Sequence, residues 1–460
     1  MLKNLRIQQF KGWKDTATIN MAPISLFFGT NSSGKSSIGQ FLMMLKQTVE
    51  SPDRKAVFFP GGSNSAVQLG SYNEMVHGRD ATTNIEFEYQ WDLPLKLEIR
   101  DPVSKKSYLA DTISFKANIG LDKEKRLTTT VNDFNYLLKQ DNEDILEVGM
   151  ARKADKKSDY EVRATSYELK REKGSAWPPN PPLRFYGFPD VVIAYYQNID
   201  FVQDINLAHE ELFKRIFYLG PLRTKADRLY SWAGTEPEGV GYAGENTVAA
   251  ILASRDRKIS LGHKQKTRSL EEIVAQKLKQ MGLIDDFRVN QISEKRQEYE
   301  VNVKTKGSNE WVDLPDVGFG LSQVLPVLVQ CIYAPHNSII IMEQPEIHLH
   351  PSAQSILADV MIEIIKSKED GKDRNIQLVI ETHSEHFLRR LQRRIAEDEI
   401  QEGKVAAYFA SVARRPATLE PLKIDEYGNV LNWPENFFGD EMEDVAGQAK
   451  AALKKRKEKK

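Results

Sequence analysis

The sequence predicts an α/β protein in which a mixed sheet is flanked by helices. Short buried-strand patterns at residues 24–28, 338–342 and 377–380 alternate with helical patterns near both ends of the chain. Between about residues 85 and 169, apolar and polar residues alternate as they do in β-strands. The predicted arrangement is therefore a core folded from both ends of the chain, with a β-rich insertion projecting from it.

Composition and charge exclude several classes of protein. The 460 residues are 40% apolar and carry a net charge of −1, so no nucleic-acid surface is expected along the whole chain. All apolar runs are far shorter than the ~20 residues that span a bilayer. We therefore expect a cytoplasmic protein with no membrane partner. The single cysteine, Cys331, has apolar neighbours and is expected to be a buried thiol.

A phosphate-binding loop is the strongest motif. Residues 29–36 read GTNSSGKS, a full match to G-x-x-x-x-G-K-[ST], between an apolar strand pattern and a helical repeat of apolar residues. Gly29 and Gly34 let the backbone wrap phosphates, Lys35 reaches the β/γ-phosphates, and the Ser36 hydroxyl binds Mg²⁺. The amides expected to face the anion belong to Asn31, Ser32, Ser33, Gly34, Lys35 and Ser36. The motif predicts that the chain binds ATP and Mg²⁺.

Two further core strands are predicted to end in residues that suit the same chemistry. The apolar run 338–342 is followed by EQPE, and a carboxylate at this place holds Mg²⁺, so Glu343 is the predicted metal-side acid. The run 377–380 is followed by ETHS. Because ligands of open α/β sheets lie beyond the carboxyl ends of strands, a Thr-His pair there can touch the γ-phosphate and its water, and His383 is the candidate. A lone histidine at a strand end is more often a packing or hydrogen-bonding residue.

A turn rich in glycine precedes the first of these strands. Residues 316–323 read DVGFGLSQ and lead into an apolar helical pattern at 324–332. Gly318, Gly320 and Ser322 at a helix start would present amides and a hydroxyl to phosphate. An ordinary glycine turn with a serine cap explains the segment equally well.

The order of these motifs resembles the ABC-type ATPase heads of the SMC/RecF/OLD group. Residues 29–37, which include Ser37, match the Walker A motif of that group, 318–323 its signature, Glu343 its Walker B acid and His383 its switch histidine. The stretch EIHLHP at 346–351 resembles the D-loop position of OLD-like ATPases. In such heads the signature turn of one subunit closes over the nucleotide of the other. The resemblance therefore implies a homodimer or larger assembly and adds these residues to the nucleotide site: Gly318, Gly320, Ser322 and Gln323.

Two more segments resemble a subset of these proteins. GPLR at 220–223 and the stretch 424–438 look like those of stand-alone prokaryotic AAA ATPases with a short C-terminal domain, relatives of ATPase subunits in defence systems such as Septu and PARIS. The resemblance implies a sensor or scaffold subunit that controls an effector nuclease. Only 66 residues follow Arg394, fewer than the ~100 of a usual domain, so that nuclease is expected to be a separate protein.

The predicted organisation has four parts. Residues 1–84 form the N-terminal part of the ATPase head, 85–180 the β-rich insertion, and 181–400 the C-terminal part of the head. Residues 401–460 form a small C-terminal element with a basic tail. A Pro-rich stretch at 177–182 marks the end of the insertion.

The chain departs from the resembling heads after the Walker B acid. Those heads carry a glutamate there as general base, and this chain has Gln344. An amide cannot accept a proton from water at neutral pH, so either Glu346 takes this role or hydrolysis is slow. We favour slow hydrolysis. The predicted catalytic residues are Lys35, Glu343, Gln344, Glu346 and His383.

The sequence can also be interpreted in other ways. A DNA-repair or chromosome-associated ATPase would normally show long coiled coils or a basic duplex-binding face, and neither is evident. Nucleic-acid contact stays open, although the basic run 454–460 is more typical of a solvated tail. A scaffold that binds ATP without hydrolysing it is kept open by Gln344. Zinc sites built from His348 and His350 with Glu343, or from His383 with His386, lack the spacing of a known zinc motif.

Overall fold

The computed structural model describes most of the chain, namely residues 1–122, 128–153, 159–172, 179–262, 265–293, 295–412, 416–434, 437–438, 446–452 and 455. The strands are β1 (Leu2–Phe10), β2 (Trp13–Asp15), β3 (Ile19–Asn20), β4 (Ile24–Gly29), β5 (Ile85–Arg100), β6 (Ser107–Asp122), β7 (Thr128–Gln140), β8 (Glu143–Arg152), β9 (Tyr160–Thr165), β10 (Ile216–Leu219), β11 (Tyr230–Ser231), β12 (Ile259–Ser260), β13 (Asp286–Gln291), β14 (Glu298–Lys304), β15 (Trp311–Asp313), β16 (Ile339–Glu343), β17 (Lys368–Glu369), β18 (Lys372–Asp373), β19 (Gln377–Glu381), β20 (Val405–Ser411) and β21 (Thr418–Leu422).

The α-helices are α1 (Lys35–Glu50), α2 (Tyr72–Met75), α3 (Asp190–Tyr195), α4 (Phe201–Lys214), α5 (Thr247–Ala253), α6 (Leu270–Gln280), α7 (Phe319–Tyr333), α8 (Pro351–Ile365) and α9 (Glu385–Ala396). Short 3-10 helices lie at His77–Arg79, Leu314–Asp316 and Glu402–Lys404. Residues 446–452 are also helical. None of the described helices is long and apolar enough to cross a membrane.

A mixed sheet lies at the centre, with strand order β10-β16-β19-β4-β20-β21. Neighbours from β10 to β20 are parallel, and β21 runs antiparallel to β20. The N-terminal strand β4 therefore lies between two strands from the C-terminal part of the chain. Because helix α1 follows β4 directly, this is the strand, loop and helix arrangement of a P-loop NTPase. The predicted fold class, an α/β P-loop NTPase with a mixed sheet flanked by helices, is confirmed.

An antiparallel sheet packs beside this core, with strand order β2-β1-β5-β6-β7-β8-β9, and β3 pairs with the same edge of β1 as β2. The strands expected between residues 85 and 169 are present as β5 to β9, and β5 pairs directly with β1, for example Tyr89 with Leu5. The apolar side chains of this sheet share one core with α1 and α4. The sheet is thus joined to the head through β1.

The C-terminal part of the chain returns to the central sheet. Phe437 packs against Phe28 of β4, with the ring centroids 5.3 Å apart, and against Phe409 of β20 at 4.9 Å. Cys331 in α7 is buried as expected, and burial raises the pKa of its thiol to about 12. The basic run 454–460 lies outside the described residues except for Lys455, as does the first part of the Pro-rich stretch 177–182.

Candidate functional site

The carboxyl ends of neighbouring parallel strands bring the predicted site residues together. Glu343 at the end of β16 pairs in register with Glu381 at the end of β19, and Glu381 pairs with Phe27 of β4. On the other side of β4, Gly29 pairs with Ala410 of β20. Neighbouring strands lie about 4.8 Å apart. The phosphate loop, the EQPE segment and the ETHS segment therefore share one edge of the sheet.

The phosphate loop has a backbone that only glycine allows at two positions. Gly29 has φ 142° and Gly34 has φ 92°. A Cβ on Gly29 would lie 2.0 Å from the carbonyl oxygen of Ala410, so a side chain has no room there. Gly34 caps the N-terminus of α1, where backbone amides and the helix dipole favour an anion.

Trp13 supports this loop from the antiparallel sheet. Its Nε1 donates hydrogen bonds to Ser37 Oγ at 2.9 Å and to the Gly34 carbonyl oxygen at 3.1 Å. The Ser37 hydroxyl donates to the same carbonyl at 2.5 Å. The hydroxyl of the predicted site residue Ser37 is therefore hydrogen-bonded to Trp13 and to the backbone of the loop. Sequence reasoning missed Trp13, because a contact between a strand and a helix residue 24 positions apart leaves no local pattern.

Lys35 folds back over the loop. Its ammonium donates to the carbonyl oxygens of Gly29 at 2.9 Å and Thr30 at 2.8 Å. Burial lowers the pKa of this lysine, and the charge of Glu381 opposes that shift. The cation therefore stands at the phosphate loop and is partly compensated by a carboxylate from β19.

Glu343 is buried at the end of β16. Its Oε1 accepts a hydrogen bond from the Tyr218 hydroxyl at 2.7 Å. Burial, together with the negative charge of Glu381, raises the pKa of Glu343 to about 7, and the nearby cation of Lys11 acts in the opposite direction. Lys11 also donates to Gln40 of α1 at 2.6 Å. Neither Tyr218 nor Lys11 was predicted, since each reaches the edge from a segment without a motif.

Glu381 is half-buried beside Glu343. Burial raises the pKa of its carboxyl group, whereas a hydrogen bond from Ser36 and the charge of Lys35 lower it. Within the described part of the chain, its Oε2 has no hydrogen-bond partner. The carboxylate thus contacts two residues of the phosphate loop.

Glu346 connects the two acidic segments. Its side chain is only 6% exposed, and Oε1 accepts a hydrogen bond from the backbone amide of His383 at 2.8 Å. Burial raises the pKa of Glu346, and among the described residues Oε2 has no partner. Arg223 donates to the carbonyl oxygen of Glu343 at 3.0 Å, and burial lowers the pKa of this arginine to about 10. Glu346 and Arg223 therefore brace the turn that carries Gln344.

Gln344 and His383 lie at the ends of these segments. Gln344 has a left-handed backbone with φ 46°, and its amide donates to the Glu381 carbonyl oxygen at 2.8 Å. The His383 side chain is exposed. Partial burial of its ring and the charge of Lys35 lower its pKa, so the imidazole is neutral at neutral pH.

The glycine turn faces a different neighbour. Gly318 precedes α7, and a Cβ on Gly320 would lie 2.7 Å from the carbonyl oxygen of His348. The Phe319 ring is 49% exposed and lies 4.8 Å from the His348 ring. The Ser322 hydroxyl donates to the Phe319 carbonyl oxygen at 2.8 Å, and Gln323 is buried. Through these contacts with His348, the turn and the segment 346–350 form one surface. No hydrogen bond between described residues joins the turn to the phosphate loop of the same chain.

The donor set suits magnesium better than zinc. No group of three or more His, Cys, Asp or Glu among the described residues could hold a metal ion. Mg²⁺ retains several waters and binds one or two carboxylates together with substrate phosphates. Ser36 and the buried carboxylate of Glu343 fit this chemistry.

A phosphate loop at the edge of a parallel sheet, faced by acids at the ends of neighbouring strands, is the arrangement of a P-loop ATPase. The sequence matches the family described as "AAA domain, putative AbiEii toxin, Type IV TA system" over residues 24–389, and the chain belongs to this family. Residues 400–448 match a second family, described as "Protein of unknown function (DUF3696)". No curated protein matches the chain.

Three solved structures resemble the chain at low identity. The head of Smc bound to the C-winged helix domain of ScpA is 11% identical, with 92% of this chain and 98% of that chain covered and a TM-score of 0.44. The SMC head domain from Thermotoga maritima is 10% identical, with coverages of 92% and 99% and a TM-score of 0.39. The Smc head with an extended coiled coil, bound to the C-terminal domain of ScpA derived from Pyrococcus furiosus, is 9% identical, with coverages of 92% and 96% and a TM-score of 0.42.

Proposed function

We propose that this protein is a cytoplasmic ATP-dependent switch that hydrolyses ATP slowly with Mg²⁺. One observation carries the proposal. The edge that gathers the phosphate loop, Glu343 and His383 has an amide, Gln344, where a general base would stand. A site of this kind binds MgATP and holds it for a long time before hydrolysis.

The residues of the edge have separate tasks in this proposal. The loop amides and Lys35 bind the phosphates, and Lys35 exchanges the carbonyl oxygens of Gly29 and Thr30 for phosphate oxygens. Ser36 and Glu343 hold the Mg²⁺ ion, which neutralises phosphate charge when it is bound. His383, neutral at neutral pH, is placed to hydrogen-bond the γ-phosphate or the attacking water.

Slow turnover follows from the two residues that could act as base. Gln344 has no basic oxygen for a proton at neutral pH. Glu346 is buried, and its Oε1 already accepts the amide of His383 at 2.8 Å. General-base catalysis contributes about 10² to 10⁴ in rate, and that contribution is reduced here.

Steady-state phosphate release, together with calorimetry of ATP binding, tests this proposal. We expect Mg²⁺-dependent ATP binding and a measurable but slow release of phosphate. A protein that binds ATP and releases no phosphate would be the non-hydrolysing scaffold, which Gln344 also favours. Absence of ATP binding would exclude both.

We also propose that ATP is held between two copies of the chain. Phe319 and His348 are exposed, Ser322 beside them is half-buried, and among the described residues none of the three has a hydrogen bond to the phosphate loop of its own chain. A second copy would bring this surface to the nucleotide. Ser322→Arg should therefore block ATP-dependent dimerisation and hydrolysis without weakening ATP binding to one subunit.

Mixing variants distinguishes action between subunits from action within one. Ser322→Arg and Lys35→Ala should each abolish hydrolysis when alone. In a mixed dimer, the phosphate loop of the Ser322→Arg subunit meets the glycine turn of the Lys35→Ala subunit, so one composite site is intact and hydrolysis should recover. Light scattering with ATP reports the dimer. No recovery on mixing, with both variants folded, would contradict the sandwich.

The role in the cell is proposed as the ATPase sensor or scaffold of an antiviral defence complex with a separate effector nuclease. Its support is the resemblance of residues 220–223 and 424–438 to defence ATPases and the family description, which names a putative toxin. Phage plating on cells that express the chain with its flanking genes tests it, with Lys35→Ala as control. Protection lost in Lys35→Ala supports the role, whereas strong stimulation of the ATPase by duplex DNA without protection supports the DNA-repair alternative.

A further inference from the structure

We propose that Glu381 is a second metal-side carboxylate, which binds the Mg²⁺ of MgATP together with Glu343 and Ser36. The inference rests on the proposed ATP binding and extends it. It concerns a residue outside the Walker A, Walker B and switch motifs.

Strand order places Glu381 between the two established parts of the site. Strand β19 lies between β16, which ends in Glu343, and β4, which leads into the phosphate loop. Glu343 and Glu381 are paired in register in parallel strands, so their side chains leave the same face of the sheet about 4.8 Å apart at the backbone. Glu381 is therefore one strand closer to the loop than Glu343.

The contacts of the two acids agree with this order. Glu343 accepts a hydrogen bond from the hydroxyl of Tyr218 in β10, the strand that flanks β16 on the side away from the phosphate loop. Ser36 and Lys35, on the phosphate loop and its helix, both lower the pKa of the Glu381 carboxyl group, so this group lies beside them. Ser36 is the hydroxyl that holds Mg²⁺ in a P-loop site. A carboxylate next to that hydroxyl, on the strand beside β4, is placed to share its metal ion.

The negative charges of Glu343 and Glu381 also favour a bound cation at this edge. Two carboxylates on adjacent strand ends repel each other in a buried edge where water screens poorly. Lys35 is the cation next to Glu381, and on ATP binding it would turn to the phosphates. Among the described residues, Oε2 of Glu381 has no hydrogen-bond partner, so this oxygen is available as a ligand. A divalent ion would neutralise both acids and coordinate the unpartnered oxygen.

Metal affinity gives the direct test. Mn²⁺ is used in place of Mg²⁺, together with AMP-PNP, an ATP analogue that is not hydrolysed. Electron paramagnetic resonance measures the concentration of free Mn²⁺ and so gives the affinity of the complex for the metal ion. Glu381→Gln should weaken Mn²⁺ binding to the AMP-PNP complex tenfold or more, as should Glu343→Gln. AMP-PNP affinity in EDTA should stay within threefold, because the amide keeps an acceptor for Ser36. Glu397→Gln, which removes the same charge from the exposed end of α9, serves as the matched control and should bind Mn²⁺ as the native chain does.

A second variant, Glu381→Asp, tests the inference if Glu381→Gln fails to fold. Glu381→Asp keeps the charge on a shorter side chain and should bind Mn²⁺ with intermediate affinity. Unchanged Mn²⁺ affinity in Glu381→Gln, with weakened binding in Glu343→Gln, overturns this inference and leaves the proposed ATPase intact. Unchanged Mn²⁺ affinity with lost hydrolysis also overturns it, since Glu381 would then act on water. Failure of the native chain to bind AMP-PNP overturns the proposed function itself.

Discussion

Two buried polar clusters of this protein differ in how completely their hydrogen bonds are satisfied. In the core beneath the antiparallel sheet, His209 of α4 is fully buried among aromatic rings. Its Nε2 accepts from the Tyr89 hydroxyl at 2.8 Å. Because the Tyr136 hydroxyl donates to the Tyr186 carbonyl oxygen, Nδ1–H of His209 is assigned as the donor to Tyr136, at 2.6 Å. Both ring nitrogens are thus paired.

The edge of the parallel sheet is built in the opposite way. Glu343 and Glu381 stand side by side with like charge, and within the described residues both Glu346 and Glu381 have an oxygen without a partner. Unpaired buried polar groups cost free energy, about 1–3 kcal/mol each. The His209 cluster thus pairs both ring nitrogens, whereas the sheet edge leaves two carboxylate oxygens of the described residues unpaired, as expected of an edge that binds a cation.

The largest effect is expected from breaking the satisfied cluster. His209→Ala leaves a cavity, an unpaired Tyr89 hydroxyl and a Tyr136 hydroxyl that keeps only the Tyr186 carbonyl oxygen, so it should lower the free energy of unfolding by about 3–5 kcal/mol. Urea unfolding measures this. ATP affinity of the folded variant should remain within twofold of the native value. Little change in unfolding would mean that the His209 network does not stabilise the fold.

Lys35→Ala should weaken ATP binding by at least about a hundredfold, because the loop loses its side-chain cation. Its effect on unfolding should be small, since the lysine is bonded only to loop carbonyls. Calorimetry measures the affinity, and Lys46→Ala on the same helix is the control. A folded Lys35→Ala chain with native affinity would reject the assignment of the site.

The pH dependence of stability should differ in sign between the clusters. The folded-state pKa of Glu343, about 7, lies above its unfolded value of 4.5, so the stability it contributes is present below pH 4.5 and is lost as pH rises through 7. Burial lowers the pKa of His209 below its usual 6.5, so protonation of the unfolded state costs stability below that pH. Without nucleotide or metal, Glu343→Gln should therefore stabilise the chain by about 1–3 kcal/mol at pH 8 and hardly at pH 4.5. Thermal unfolding at the two pH values measures this, and equal effects at both would contradict the repulsion at the edge.

The smallest effect concerns the amide at the base position. Gln344→Glu should raise the rate of hydrolysis about tenfold, because a carboxylate can accept the proton from water. Glu346→Gln should change the rate less than threefold, since the side-chain oxygen of the glutamine can still accept the hydrogen bond from the backbone N–H of His383. The opposite pattern, no gain from Gln344→Glu and abolished turnover in Glu346→Gln, would identify Glu346 as the base.

The sequence predicted the fold class and the residues at the sheet edge because both depend on local patterns. The strand, loop and helix around residues 24–45 are contiguous, and an apolar run that ends in an acid marks β16. The same signal marks β19, whose run also ends in glutamate, but the resemblance drew attention to His383 and left Glu381 aside. The roles of these residues in binding and catalysis, the assembly and the defence function remain predictions.

Other residues of the site could not be found from sequence. Trp13 and Tyr218 reach the phosphate loop and Glu343 from other strands, and neither belongs to a motif. Arg223 was noted only as part of a resemblance, because its contact with the Glu343 carbonyl spans 120 positions. Such contacts depend on strand order, which local periodicity does not determine.

The position of β4 has a consequence for synthesis of the chain. The phosphate loop leaves the ribosome long before its neighbours β19 and β20, which begin at residues 377 and 405. Contacts over such sequence distances form late and slowly in folding. Until these two strands have been made, the loop lacks both flanking strands, and the apolar residues of β4 are without their partners. A ribosome-bound chain that ends before β19 should therefore bind no ATP and should depend on chaperones to keep β4 from aggregating.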